Sequence, residues 1–223
     1  MAHITTKIER PSRDLIDKIA AYAPSTLHEA QGRSGALTSR IKPIYPGMRA
    51  CGPALTAQCQ IGDNMMLIAA INQAQPGDVL VVSAGDNPEQ GGFGEVLTTA
   101  CMAKGIVALV TDAGVRDGPA IRQRGFNVFS YGLCMKGTVK ETLGSVNQPI
   151  VIGGVLINPG DLISADDDGV VVVPKANIAA VTAASAARED KEASIMKALE
   201  AGGDILELGG LGKVLAAKGC TTG

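Results

Sequence analysis

Tryptophan is absent from this 223-residue chain, and three tyrosines and three phenylalanines are its only aromatic residues. Single-stranded nucleic acid is gripped by stacking bases on aromatic rings, so that platform is poorly supplied. No basic block compensates. Twenty Lys and Arg stand against 22 Asp and Glu, for a formal net charge of −2, without the electrostatic footprint of nucleic-acid binding. Histidine is limited to His3 and His28, and the five cysteines (Cys51, Cys59, Cys101, Cys134, Cys220) form no C-x-x-C spacing. A zinc site built on His or Cys is therefore not expected, and the odd cysteine count reads as reduced, mostly buried thiols. No apolar run approaches the ~20 residues of a membrane span. The opening "MAHITTKIERPSRD" is charged and has no apolar signal region. A soluble, cytoplasmic protein without nucleic-acid or membrane partners is expected. Two nucleotide motifs are also missing. "GGFGEVL" places Leu97 where the dinucleotide fingerprint needs its third glycine, and no G-K-[ST] occurs.

What the chain has is apolar content and glycine. With 46% hydrophobic residues, 19% charged residues and 28 glycines, it can bury a sizeable core while making many tight turns. No linker-like segment divides it, so residues 1–223 read as one α/β domain. Residues 11–32 read as helical segments, with Leu15, Ile16, Ile19 and Ala20 on one face and Ser25 and Thr26 as caps of a second short helix that holds His28 and Glu29. "GPALTAQCQ" alternates like a strand, and "GDNMMLIAAINQA" reads as a helix capped by Asp63 or Asn64. "PGDVLVVSA" (76–84) is a buried strand, "GDNPEQGGFG" (85–94) a glycine-rich loop, and "EVLTTACMAKG" a helix with acid at its start. "IVALVT" (106–111) is the next strand and "PAIRQRG" (119–125) a short helix. Strand, helix, strand in this order predicts a right-handed βαβ unit with parallel strands. "VLINPGDLISADDDGVVVVP" reads as three strands joined by turns, followed by an alanine-rich helix over 176–201 and a glycine-rich tail.

In a βαβ unit, the loops leaving the carboxyl ends of both strands share one sheet edge, where open α/β sheets bind ligands. Here those loops are 85–94 and "DAGVRDG". The helix opening at Glu95 leaves the amides of Val96 and Leu97 free for an anion, and Arg116 can fork onto a carboxylate. A small carboxylate held by two amides and an arginine is one reading; an Arg116–Asp117 pair that braces the loop is the other. Asp86, Glu95, Asp112 and Asp117 supply carboxylates nearby, an oxygen-only donor set suited to Mg²⁺ or Mn²⁺. Lys104 and Lys136 neighbour glycines at element ends, not the apolar pocket that activates a Schiff-base lysine. His28 reads better as a packing or hydrogen-bonding residue than as a base, "ADDDG" (165–169) as a turn, and "REDKE" (188–192) as a solvated helix face.

The segments "HEAQGRSG", "GDNMM", "PGDVLVVS", "GFGEVLTT", "DAGVRD", "GTVKETLGSVNQP", "INPGD" and "ADDDGVVVVP" together resemble the 4-hydroxy-4-methyl-2-oxoglutarate / 4-carboxy-4-hydroxy-2-oxoadipate aldolases. These divalent-metal-dependent pyruvate aldolases share their fold with the regulators of ribonuclease E activity. The resemblance runs from about residue 10 to 218. Its most specific element is an acid, twenty intervening positions and Arg-Asp, met by Glu95, Arg116 and Asp117. It implies a three-layer β/β/α swivelling-domain-like fold with a C-terminal helix, assembled as a homotrimer or homohexamer. It also implies Asp117 as the direct ligand of Mg²⁺ or another divalent cation. Arg116, with the Val96 and Leu97 amides, would bind a small-molecule 2-oxo acid, contacted also by Asn64. Glu95, and Glu192 from a neighbouring subunit, would reach the metal's waters and polarise the water that acts as base. The aldolases generally carry Asp where this chain has Glu95, whereas the ribonuclease regulators usually lack the acid. Retro-aldol cleavage with an oxaloacetate decarboxylase side activity is the implied function; a non-catalytic ribonuclease regulator, or a lyase acting on another 2-oxo acid, is the rival.

Overall fold

The computed structural model describes residues 2–221. After the short edge strand β1 (His3–Ile4), helices α1 (Arg13–Ile19) and α2 (Pro24–Ala30) lead through β2 (Lys42–Pro43) to the long strand β3 (Ala50–Gln58). Ser12 caps α1 by accepting from the Leu15 N–H, with Asp14 in the first turn and Lys18 in the last, as the helix dipole favours. The middle of the chain runs α3 (Met65–Ile71), β4 (Val79–Gly91), α4 (Glu95–Ala103), β5 (Ala108–Gly114), α5 (Gly118–Arg124) and β6 (Asn127–Ser130). Strands β3, β4, β5 and β6 pair in parallel in that order, so the predicted βαβ unit is present. Strands β7 (Ser145–Val146), β8 (Ile150–Ile152), β9 (Val155–Ile157), β10 (Leu162–Asp166) and β11 (Gly169–Val173) follow. The long helix α6 (Ile178–Glu200) and two short helices, α7 (Ile205–Leu208) and α8 (Leu211–Ala217), end the chain.

β3 belongs to two sheets. Ala54–Gln58 pair in parallel with β4, while Ala50–Pro53 pair antiparallel with β10, which continues into β11. The parallel strands are buried on both faces, which explains their continuous aliphatic runs. Leu80, Val82, Leu109 and Val128 face α3, α4 and α5, whereas Val79, Val81, Ala108, Val110 and Phe129 face the second sheet and the β8–β9 ribbon. This alternation is the two-residue period of a strand. It produces the β/β/α layering. Helices α1, α2 and α6 add a further layer on the outer face of β10 and β11, through Ile16, Ile19, Leu27, Ile178 and Val181. A cavity-forming change such as Leu80→Ala in the central sheet costs about 2–5 kcal/mol.

Three stretches differ from expectation. Helix α2 starts at Pro24 with Ala23 at its cap position and no side-chain cap bond, so Ser25 and Thr26 lie inside the helix and do not cap it; a proline in the first turn sets the start instead. Residues 85–91 are not loop but the bulged end of β4, where Asn87 pairs with Ala113 and Gly91 with Gly114 across register shifts. The buried Asp112 carboxylate accepts from the amides of Ala84 and Asp86 and so holds the bulge. Periodicity could not show this, because a bulge interrupts alternation and its anchor lies on another strand. The C-terminal tail is not wholly irregular either. It carries α7 and α8, with Ile205, Leu206, Leu208, Leu211, Val214 and Leu215 exposed. No helix is long and apolar enough to cross a membrane among the described residues.

Candidate active site

The carboxyl ends of β4 and β5 meet at a cavity of about 240 Å³, lined by Asn64, Gly92, Gly94, Val96, Leu97, Arg116, Asp117 and Lys140, among others. Phe93 anchors one side of it. Fully buried, its ring stacks on Phe126 with centroids 5.9 Å apart, and its carbonyl accepts from the Arg116 N–H at 2.8 Å. One apolar side chain thus ties the entry of α4 to the exit of β5. Gly94 lies between Phe93 and α4, and a Cβ there would collide with the Asp117 carboxylate.

Asp117 adopts a left-handed conformation (φ 56°, ψ 33°) at the start of α5, a costly backbone state for a residue other than glycine and one that concentrates at functional sites. Its Oδ2 accepts from the Glu95 N–H at 3.0 Å, while Arg116 Nε is 3.8 Å away, with both side chains nearly half exposed. That separation is too long for a well-formed brace, so the loop-bracing reading of Arg116 is poorly met. The guanidinium instead faces the cavity, and the Val96 and Leu97 amides at the α4 start have no backbone acceptor among the described residues.

Asn64 is the one buried polar group of the wall left half-satisfied. Its Nδ2 donates to the Gly92 carbonyl at 2.7 Å, which fixes the amide orientation, and its Oδ1 is buried without a partner. The neighbouring Asp63 frees it for this role. Asn64 occupies the cap position of α3 by sequence, yet Asp63 Oδ1 takes the Met65 N–H at 2.8 Å and Oδ2 takes the amides of Glu141 and Thr142. Burial would raise the Asp63 carboxyl pKa, but these N–H bonds outweigh it and hold it below the ordinary aspartate value.

The remaining carboxylates are placed differently. Asp112 and Asp86 serve the β4 bulge, with Asp86 engaged by Arg40 and Tyr131. Burial, against the pull of the Ala84 and Asp86 amides, raises the Asp112 pKa. Glu95 is not among the residues that line the cavity and turns one oxygen, Oε1, to Arg124, which donates to it through Nε at 3.1 Å and Nη2 at 2.8 Å. Glu192 lies on α6, paired at 2.6 Å with Arg188, and does not line this cavity within one protomer. Among the described residues no group of three or more His, Cys, Asp and Glu converges. A donor set of this kind fits a cation that keeps most of its waters and takes one or two carboxylates, as Mg²⁺ does, with Asp117 as the available ligand. His28 Nδ1 lies 2.9 Å from the Ser34 carbonyl beyond α2, a local hydrogen bond. In "ADDDG", Asp166 and Asp167 accept from the amides of Asp168 and Gly47, as turn-shaping acids do. Sequence reasoning did not single out Lys140, which reaches the cavity from an irregular segment far along the chain.

The sequence profile of the RraA-like family, described as Aldolase/RraA, matches residues 12–172. The chain belongs to the Aldolase/RraA family. A family relative from Halalkalibacterium halodurans, named as a candidate 4-hydroxy-4-methyl-2-oxoglutarate aldolase, is 35% identical over 73% of this chain and 77% of its own. Among solved structures, an uncharacterized protein of Pseudomonas syringae pv. tomato superposes with a TM-score of 0.79 at 28% identity, covering 90% of this chain and 99% of its own. Streptomyces coelicolor RraAS2, described as an unusual member of the RNase ES inhibitor RraA family, superposes with a TM-score of 0.77 at 30% identity, covering 85% of this chain and 99% of its own. The relatives thus include one named for an aldolase and one described as an unusual member of a ribonuclease-inhibitor family.

Proposed function

We propose that this member of the Aldolase/RraA family cleaves 4-hydroxy-2-oxo acids by a divalent-metal-dependent retro-aldol reaction that releases pyruvate. The observation that supports it most is the cavity itself: a guanidinium and two unpartnered helix-start amides beside a single strained carboxylate. Arg116 and the amides of Val96 and Leu97 bind the pyruvyl carboxylate and keto oxygen. Asn64 Oδ1 accepts a hydrogen bond from the substrate, and Asp117 holds the cation. When bound, the cation supplies charge stabilisation to the developing enolate oxygen. The C3–C4 bond breaks, its electron pair passes to the pyruvate enolate, and the C4 hydroxyl becomes a carbonyl as its proton leaves. Arg116 stabilises the negative charge that develops on the C2 oxygen. Glu95, through the oxygen that Arg124 leaves free, and Glu192 of the partner subunit orient the water that takes the C4 proton. Protonation of the enolate at C3 completes pyruvate. Loss of CO₂ from oxaloacetate passes through the same enolate and is expected as a side activity.

The second reading, a non-catalytic regulator that binds a ribonuclease, has the Streptomyces relative behind it. Pyruvate release coupled to lactate dehydrogenase, with 4-hydroxy-4-methyl-2-oxoglutarate, 4-carboxy-4-hydroxy-2-oxoadipate and oxaloacetate in Mg²⁺ or EDTA, separates the two. The aldolase reading expects metal-stimulated pyruvate from at least one of the hydroxy acids. No metal-stimulated pyruvate from any of them favours the regulator.

A further inference from the structure

The cavity holds a second cation to which the reaction assigns no task. Lys140 lines it, and no ion pair joins this exposed side chain to another described residue. The segment that carries it begins beside Arg116. There the Gly91 N–H donates to the Lys136 carbonyl at 2.8 Å, and a Cβ on Gly137 would lie 3.6 Å from Arg116 Nη1. It passes Gly92, whose added Cβ would meet Thr138 Cγ2 at 3.7 Å. It ends against the turn that leads into α3: Val139 exchanges backbone hydrogen bonds with Gly62 and Asn64, and Asp63 takes the amides of Glu141 and Thr142. Both ends are fastened, so Lys140 is presented from a fixed backbone on the Asn64 side, up to about 10 Å of chain from Gly137.

Resting on the retro-aldol reading, we propose that Lys140 is the specificity residue for the distal carboxylate of the substrate. The pyruvyl carboxylate occupies Arg116 and the α4 amides, and Asp117 is committed to the cation. A second carboxylate, on C4, then meets a cavity whose one unassigned charge is an ammonium. A substrate with no charge beyond C4 leaves that ammonium unused. Lys140 binds and positions; it takes no part in bond cleavage.

The test compares wild type, Lys140→Gln and Lys140→Arg, each checked for folding by circular dichroism. The substrates are 4-hydroxy-4-methyl-2-oxoglutarate and 4-hydroxy-2-oxopentanoate, which lacks the distal carboxylate. Lys140→Gln is expected to lower the preference for the dicarboxylate, taken as the ratio of the two kcat/KM values, by roughly tenfold or more, chiefly through KM. Lys140→Arg restores much of that preference. If the monocarboxylate is not cleaved, its inhibition constant as a competitor replaces its kcat/KM. An unchanged ratio, or an equal loss on both substrates, overturns the assignment of Lys140. A wild type that releases no pyruvate from either substrate overturns the retro-aldol reading, and this proposal with it.

Discussion

At the scale of single residues, the site consists of groups whose local hydrogen bonding is incomplete. Arg116 has a half-exposed guanidinium only loosely associated with Asp117. Replacing it with Ala removes the charge proposed to stabilise the enolate, and pyruvate release is expected to fall by at least about 10²–10³-fold with an unchanged circular dichroism spectrum. Wild-type-like turnover in that variant would remove Arg116 from the site. Asp117 combines its proposed role as cation ligand with backbone strain. Asp117→Gly should abolish stimulation by Mg²⁺ while thermal stability stays level or rises by up to about 1 kcal/mol, since glycine relieves the left-handed backbone. Calorimetry alongside a metal titration checks both halves. Asn64 is more finely placed. Asn64→Asp sets a carboxylate against the Gly92 carbonyl that now receives its amide N–H, so both activity and melting temperature are expected to drop.

At the scale of elements, two clamps hold the cavity: Phe93 with its stacking partner at the α4 entry, and Asp63 at the start of α3. The Asp63 clamp carries a pH signature. Its carboxyl is held below the usual aspartate value, so its contribution to stability is complete above the unfolded-state pKa of ~3.9. That contribution is lost as pH falls through the lower folded-state value. Melting temperature should therefore decline more steeply in wild type than in Asp63→Asn as pH drops from neutral to acid; parallel declines would mean the clamp contributes nothing. The central βαβ unit was legible because parallel strands buried on both faces leave aliphatic runs of strand length, and a helix with acid at its start intervenes. The proximity of Arg116 and Asp117 to the α4 start followed from that topology. The β4 bulge was not legible, because its anchor Asp112 acts across strands. Nor was Lys140, since the 136–142 segment has no periodicity and is fixed by carboxylate-to-amide bonds that leave no pattern in sequence. Glu95 was legible as the acid that opens α4, where its N–H meets Asp117, but not as a side-chain partner of Arg124, which depends on how α5 returns beside α4.

At the scale of the whole molecule, the proposed site is complete only if Glu192 reaches it from another copy, because within one protomer that residue pairs with Arg188. Light scattering is then expected to give three or six times the 22.8 kDa chain mass. Arg116→Ala and Glu192→Ala proteins, each inactive alone, should regain part of the activity when unfolded together and reassembled; no recovery would place the whole site within one chain. A different consequence follows from β3, whose two halves are shared between sheets. Neither sheet can open without tearing the same strand. Deuterium uptake at the β3 amides should therefore be the slowest in the chain and proceed only through global unfolding. The exposed residues of α7 and α8 should exchange within the fastest class, so one strand sets the kinetic lifetime of the whole fold.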